Sequence, residues 1–214
     1  MKKLILGFSV LFALTSCNNS SSNVKQDTTE EKKITPSQTT KIENFLSTSE
    51  NINFSGTDFN LSWSSHPSDN YYKQEFIPKD NTLDKYKQMI MIELATGNIT
   101  AKDAVAQKIQ ELDTRKATDK MAKYQVSENK ATNEILLDFM LSEGNGDVNT
   151  IVEWNAYRYS NYTDKTGKKG VFLFALSKRE YGQEIVPFVA DLKSNRMKYV
   201  ADFIALTKPE INTK

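Results

Sequence analysis

The pattern of apolar and polar positions predicts a sheet in the second half of the chain. Three extended segments, 135–141, 151–159 and 170–177, are rich in the β-branched and aromatic residues that suit a pleated surface. The sequence Gly-Asn-Gly-Asp at 144–147 separates the first two segments, and Lys-Thr-Gly-Lys at 165–168 separates the second two. Such short polar connections are typical of hairpins, so we expect these segments to form an antiparallel meander.

Shorter extended segments are expected in the first half. Residues 52–54 and 59–63 alternate apolar with polar side chains, which is the period of a half-buried strand, and residues 72–77 continue an extended pattern. The sequence His-Pro-Ser-Asp-Asn at 66–70 has the composition of a turn. An apolar stretch follows at 89–94.

Helices are predicted in the middle and at both ends of this region. Thr100 and Asp103 form a capping box with Asp in place of Glu, and apolar residues then recur at helical spacing through about Thr118. Residues 187–206 place seven apolar side chains on one helical face, and short helices are expected at 41–46 and 83–89. These elements predict an α+β fold, a mainly antiparallel sheet of about six strands covered by helices.

Composition limits the kinds of partner. The 214 residues carry 28 Lys and Arg against 27 Asp and Glu, so a strong basic field for nucleic acid is excluded. Aromatic residues make up 10% and apolar residues 38% of the chain, which is enough for a substantial core. We therefore expect a globular protein of nearly neutral charge that does not bind nucleic acid.

The amino terminus has the pattern of a secretion signal. Two lysines precede an apolar run at 4–14 that is too short to span a bilayer about 30 Å thick. The sequence Leu14-Thr15-Ser16-Cys17 resembles the lipobox of bacterial lipoproteins and contains the chain's single cysteine. The resemblance implies cleavage between Ser16 and Cys17 and acylation of Cys17, with palmitate among the acyl chains. Two or more chains give stable membrane anchoring, whereas one does not.

The leader also sets the expected domain organisation. We predict a signal peptide at 1–16, a flexible tether at 17–40, one globular α+β domain at 41–208 and a short tail at 209–214. The tether is rich in Ser, Asn and Thr and has almost no large apolar residue, so it cannot offset the entropy of ordering. Asn18 rather than aspartate follows the cysteine, which favours the outer membrane of a didermal bacterium.

A second resemblance concerns the globular part. The sequence Glu75-Phe76-Ile77-Pro78, followed by Leu83, Tyr86 and Met89, resembles the strand-Pro-helix signature of the PsbP-like family. Tyr86 stands where that signature more often has Trp. The sequences Ser-Glu-Gly at 142–144 and Tyr-Gly at 181–182 fit the same order of elements. The resemblance implies an α/β/α sandwich that serves as a non-catalytic binding or adaptor domain.

Most catalytic and metal chemistries lack their residues in this sequence. His66 is the only histidine, and its neighbour Ser65 points to the opposite side of an extended chain, so a Ser–His pair is not expected. One His and a lipidated Cys17 exclude the usual zinc ligand sets. Neither Asp80 with Asp84 nor Glu143 with Asp147 has the spacing of a calcium loop. We expect no metal and no cofactor.

Two sets of strand residues remain as candidates. Carboxylates on predicted strands could face one another as a hydrolase pair: Glu75, Glu93, Asp138 and Glu153. Tyrosines could form a surface for carbohydrate, peptide or protein, unless helices cover both faces of the sheet: Tyr71, Tyr72, Tyr157 and Tyr159.

The function that these observations favour is that of a membrane-anchored envelope lipoprotein of non-catalytic binding or assembly type. Its partners would be the membrane, through the lipid anchor, and an envelope protein, peptide or glycan. The alternative is a small envelope hydrolase that uses paired carboxylates.

Overall fold

An eight-stranded antiparallel sheet organises the part of the chain that the computed structural model describes, residues 41–145 and 148–213. Its spatial order is β1-β2-β3-β4-β8-β7-β6-β5. The strands are β1 (Asn51–Phe54), β2 (Thr57–Ser68), β3 (Tyr71–Pro78), β4 (Gln88–Thr96), β5 (Lys123–Asn129), β6 (Glu134–Asn145), β7 (Val148–Thr163) and β8 (Lys169–Tyr181). The predicted meander is confirmed, because β6 pairs with β7 and β7 with β8.

The prediction of about six strands was too low, although the α+β class and the antiparallel sheet are confirmed. Strand β4 is buried along nearly its whole length, and β5 is exposed along nearly its whole length. Neither strand alternates apolar and polar residues, because alternation requires one buried and one exposed face.

The capped middle helix is present as α1 (Ala101–Arg115). The Thr100 hydroxyl accepts from the Asp103 N–H at 3.2 Å, and the Asp103 carboxylate accepts from the Thr100 N–H at 2.9 Å. The helix packs on β6, β7 and β8, where the Lys108 ammonium lies 5.1 Å from the centre of the Phe139 ring. We call the side of the sheet that carries Phe139 the α1 face.

The closing helix is present as α2 (Ile185–Ala205), preceded by a 3-10 turn at Gly182–Glu184. Its residue Phe203 packs against Phe174 of β8 with ring centres 5.1 Å apart, and its residue Tyr199 packs near Trp154 of β7. Trp154 pairs with Met140, the neighbour of Phe139 on β6. Because successive strand side chains point to opposite faces, α2 lies on the opposite side from α1, on what we call the α2 face.

The short helix expected at 41–46 was wrong. Residues 41–50 contain no helix, and Asn44 instead anchors this segment. Its side chain donates to the Thr48 carbonyl at 2.7 Å and accepts from Gln74 of β3 at 2.8 Å. Local side-chain bonds of Asn compete with helix formation.

The short helix expected at 83–89 was also wrong. Residues 79–87 form an irregular connection, and Gln88 already begins β4. The Lys87 carbonyl accepts from the Arg179 N–H at 2.8 Å, and Tyr86 is buried. These contacts with β8 and the core replace the helical bonds. The turn expected at 66–70 is shorter than predicted, because β2 continues through His66 and Pro67 to Ser68.

Candidate functional site

Three of the four candidate carboxylates lie on the α1 face. Glu93 of β4 pairs with Lys73 of β3, and Glu75 lies two residues further along β3 on the same face. Glu153 of β7 pairs with Arg179 of β8. Asp138 lies on the other face, because its cross-strand partner Ala156 is two residues from Trp154. The sheet therefore separates Asp138 from the other three carboxylates.

A buried lysine joins two of these carboxylates. The Lys73 ammonium lies 2.9 Å from Glu75 Oε1 and 3.6 Å from Glu93 Oε1, and its side chain is 7% exposed. Burial raises the pKa of Glu93, and the neighbouring Lys73 opposes this shift. For Lys73, burial lowers the pKa, but the two carboxylates together raise it above its ordinary value. The three side chains therefore form one coupled charge group inside the protein.

Two polar atoms at this group have no hydrogen-bond partner. They are Glu93 Oε1 and the Tyr71 hydroxyl, which are both buried. Burial, followed by the charge of Glu93, raises the pKa of Tyr71 far above its ordinary value. Besides Lys73, the Tyr71 hydroxyl and the charge of Lys108 also act to lower the pKa of Glu93, so its charged form does not depend on one ion pair.

Hydrogen bonds hold together the second charged group on this face. The Tyr86 hydroxyl donates to Glu153 at 2.7 Å, and Arg179 Nε donates to the same carboxylate at 2.6 Å. The Arg179 guanidinium also stacks 4.1 Å from the centre of the Tyr86 ring, and Tyr181 donates to the Tyr86 carbonyl at 2.9 Å. Burial and the charge of Glu153 raise the pKa of Tyr86 well above its ordinary value. These contacts fix the 79–87 connection to the sheet.

Helix α1 contributes a third buried cation. Lys108 is 6% exposed and lies 3.4 Å from Glu111. Burial lowers the pKa of Lys108 to about 8, because the charged form is poorly solvated there. We call Lys73, Glu75, Glu93, Lys108, Glu153 and Arg179 together the charged cluster.

The chemistry open to the charged cluster is limited by its pairing. Glu75 and Glu93 lie against the same ammonium, and Glu93 and Glu153 are each 5% exposed. Within the described residues, no group of three or more His, Cys, Asp or Glu side chains could hold a metal ion. A cleft of about 460 Å³ lies elsewhere, at the connection from β5 to β6, lined by Lys102, Glu134 and Asn161 among others.

The four candidate tyrosines do not form one exposed surface. Tyr157 and Tyr159 of β7 are 6% and 4% exposed and lie on the α1 face. Tyr72 is 5% exposed and belongs to the core on the α2 face. Tyr71 is half-buried at the start of β3. Neighbouring strand positions alternate in direction, which separates Tyr71 from Tyr72.

His66 is part of an aromatic contact rather than a Ser–His pair. Its ring stacks on Tyr72 with ring centres 3.9 Å apart, and its Nδ1 lies 3.1 Å from the Tyr71 carbonyl oxygen. Phe45 also contacts the His66 ring, with ring centres 5.4 Å apart. The histidine therefore helps to hold the 41–50 segment on the sheet.

The sequence reasoning named the carboxylates but did not pair them with their cations, Lys73, Lys108 and Arg179. The sequence contained one indication that Lys73 is buried. Lys73 lies between Tyr72 and Gln74 on a strand whose residues are mostly buried. The carboxylate that faces each strand cation is identified by cross-strand pairing. That pairing depends on the strand register, which cannot be read from the sequence.

The predicted anchor lies outside the described residues, so Ser16, Cys17 and the tether remain predictions. In the described ranges, no helix is both long and apolar enough to cross a membrane.

The fold and its ion pairs define a class, an α+β protein with one antiparallel sheet and buried ion pairs on both of its faces. A protein-family model matches residues 46–207, which is well over half of the chain, and the chain belongs to that family. No curated protein matches the chain, and no solved structure matches it.

Proposed function

We propose that this protein is a lipid-anchored, non-catalytic binding or assembly component of the bacterial envelope. Cys17 would carry the anchor in the outer membrane, residues 17–40 would act as a tether, and the sheet with its helices would meet an envelope partner. The lipobox resemblance of residues 14–17 supports the anchor.

The observation that carries the non-catalytic proposal is the pairing of the sheet's acidic side chains. Glu75 and Glu93 contact Lys73, and Glu153 contacts Arg179. On the other face, Glu134 contacts Arg158 and Lys208, and Asp138 contacts Arg196. A hydrolytic pair needs an acid and a base that both reach the substrate. Carboxylates held by internal cations are better suited to stabilising one sheet register.

The finer fold assignment is part of the proposal. A PsbP-like α/β/α sandwich requires helices on both sides of one sheet, and the packing of α1 near Phe139 and of α2 near Phe174 supports it. The strand-Pro-helix signature has its strand and proline in β3, while the segment after it is an irregular connection.

The binding proposal is tested by mild crosslinking of the native, membrane-extracted protein, followed by identification of what co-purifies. The matched control is the Cys17→Ser chain, which is not anchored. We expect a stoichiometric envelope protein, peptide or glycan with the anchored form. Recovery of the anchored protein without any partner, together with turnover of added envelope glycans or peptides, would overturn the proposal.

The anchor is tested separately with a labelled fatty acid. The wild-type protein should incorporate palmitate and sediment with membranes, and Cys17→Ser should do neither. Membrane retention of Cys17→Ser would contradict the lipobox assignment.

A hydrolase that uses Glu75 and Glu93 is the second candidate. The observation in its favour is that both carboxylates lie against Lys73 and that burial raises the pKa of Glu93. A raised pKa is what a general acid requires. Under this alternative Glu93→Gln would abolish turnover of an envelope glycan while leaving the protein folded, whereas under the binding proposal no turnover exists to be lost.

A further inference from the structure

The outer edge of β5 is an exposed strand edge. Strand β5 ends the sheet order and pairs on its inner side with β6, and six of its seven residues are exposed. The backbone of an edge strand presents a row of N–H and C=O groups that another strand can pair with. Strand β5 is therefore a place where the sheet can be extended.

The two edges of the sheet differ in how well they are protected. Strand β1, at the other edge, has four residues and two of them are buried. Strand β5 has seven residues, contains no proline, and pairs with β6 in a continuous register without a bulge. Short length, proline, bulges and charged side chains are the usual protection against edge pairing. Of these, strand β5 has only the charged side chains, Lys123 and Glu128.

Contacts with both helices hold β5 in place. On the α1 side, the Tyr124 hydroxyl donates to Asp113 at 3.3 Å and the Lys116 ammonium lies 4.1 Å from the Tyr124 ring centre. On the α2 side, Arg196 donates to Gln125 at 2.6 Å. An edge fixed before it meets a partner has less conformational entropy to lose on binding.

We propose that this edge pairs antiparallel with β5 of a second copy of the same chain, around a two-fold axis at Val126. Val126 is 39% exposed and is the middle residue of the seven. A two-fold axis perpendicular to the sheet keeps each side chain on its own face, so Val126 meets Val126 of the second copy. The two sheets then form one continuous sheet.

The order of residues in β5 fits this self-pairing. With Val126 at the centre, Tyr124 lies opposite Glu128 and Gln125 lies opposite Ser127, while Lys123 lies opposite Asn129. The single lysine and the single glutamate of the strand therefore never face their own kind. Like charges directly opposite one another would be destabilising, and this register has none.

Disulfide trapping tests the register. In the full chain carrying Cys17→Ser, Val126→Cys places two thiols opposite each other at the proposed axis. The control is Val186→Cys at the start of α2, because Val186 is 77% exposed and is therefore at least as accessible as Val126, which is 39% exposed. We expect Val126→Cys to form disulfide-linked dimers on the order of tenfold faster than Val186→Cys, because pairing raises the local thiol concentration. Equal rates would overturn the proposal.

Sedimentation provides an independent readout that needs no oxidation. The full Cys17→Ser chain should sediment as a dimer at high concentration, and Val126→Lys should shift it to a monomer, because two lysines would meet at the axis. A chain that stays monomeric at every concentration would overturn the proposal of a second copy. The proposal would also be overturned if the chain stayed monomeric and only an added extended peptide bound to the β5 edge. These outcomes are separate from the proposed function, because partner capture by crosslinking does not depend on the β5 edge.

Discussion

The two faces of the sheet are both buried, but they are built differently. The α2 face packs large apolar side chains such as Trp154, Phe174 and Phe203, each at most 2% exposed. On the α1 face, buried charges lie on the central strands β3 and β4, with Lys73 between Glu75 and Glu93. Ion pairs also occur on the α2 face. There the guanidinium of Arg158, a residue of β7, reaches the end of α2 and donates to the Phe203 and Leu206 carbonyls.

This difference shows what each face contributes. Apolar burial is non-directional and contributes about 25 cal/mol per Å², so the α2 face supplies stability. Buried ion pairs gain little net stability, because removing charges from water costs about as much as the pairing returns. We infer that the charges of the α1 face chiefly select one strand register.

The largest effect is expected on the α2 face. Phe203→Ala should lower the free energy of unfolding by about 3–5 kcal/mol, because it leaves a cavity beside Phe54 and Phe174. Urea unfolding measures the change. Val186→Ala is the control on the same helix; Val186 is 77% exposed, and its loss should cost less than about 0.5 kcal/mol. Equal losses for the two variants would contradict the packing assignment.

A loss of similar or slightly smaller size is expected when one charge is removed from the α1 face. Lys73→Met should cost about 3 kcal/mol, because Glu75 and Glu93 would both lose their cation. Adding Glu75→Gln and Glu93→Gln to Lys73→Met should restore most of the stability, since no unpaired charge remains. A triple variant as unstable as Lys73→Met would show that packing of the lysine stem, not charge pairing, is what matters.

Glu93 should make stability depend on pH in a sense opposite to that of an ordinary paired carboxylate. Its pKa is raised in the folded protein, so the folded state holds the proton to a higher pH than the unfolded chain does. Stability from this group is therefore lost as pH rises from about 4.3, the unfolded pKa, to the higher folded pKa. Relative to wild type, Glu93→Gln should become progressively more stable over this range, measured by urea unfolding at several pH values. A difference that is constant with pH would contradict the raised pKa.

The smallest effect is expected at the cap of α1. Thr100→Ala removes the acceptor for the Asp103 N–H and should cost about 1 kcal/mol. Thr100→Ser keeps the hydroxyl and is the control. Hydrogen exchange of the first turn of α1 locates the change, and unaltered exchange in Thr100→Ala would mean that the cap does not limit opening there.

The parts of the fold that the sequence predicted are those with a strong local signal. Helix α1 has its Thr100–Asp103 capping box, and β6, β7 and β8 have long runs of strand-favouring residues with polar turns between them. Strand β5 was missed because its side chains face solvent on both sides. The helix expected at 83–89 was wrong because burial of Tyr86 and its bond to Glu153 outweigh a weak local preference.

The candidate site was predictable only in part, because strand register and coverage of the sheet by helices are not local properties of the sequence. The sequence identified three strand carboxylates that share the α1 face, namely Glu75, Glu93 and Glu153. Their position on that face, and the position of Asp138 on the α2 face, depend on the strand register. The expected tyrosine surface was not found as such, because the sheet is covered where Tyr72, Tyr157 and Tyr159 lie. Coverage of a sheet is a tertiary property that a strand's own residues do not specify.

Under the proposed function, the charged cluster selects one strand register and does not act on a substrate. The most direct test is to crosslink and purify the anchored protein in its wild-type and Glu93→Gln forms and to compare what co-purifies. We predict the same envelope partner in the same amount for both forms. Loss of the partner from a folded Glu93→Gln protein, or accumulation of an uncleaved glycan or peptide on it, would contradict the account.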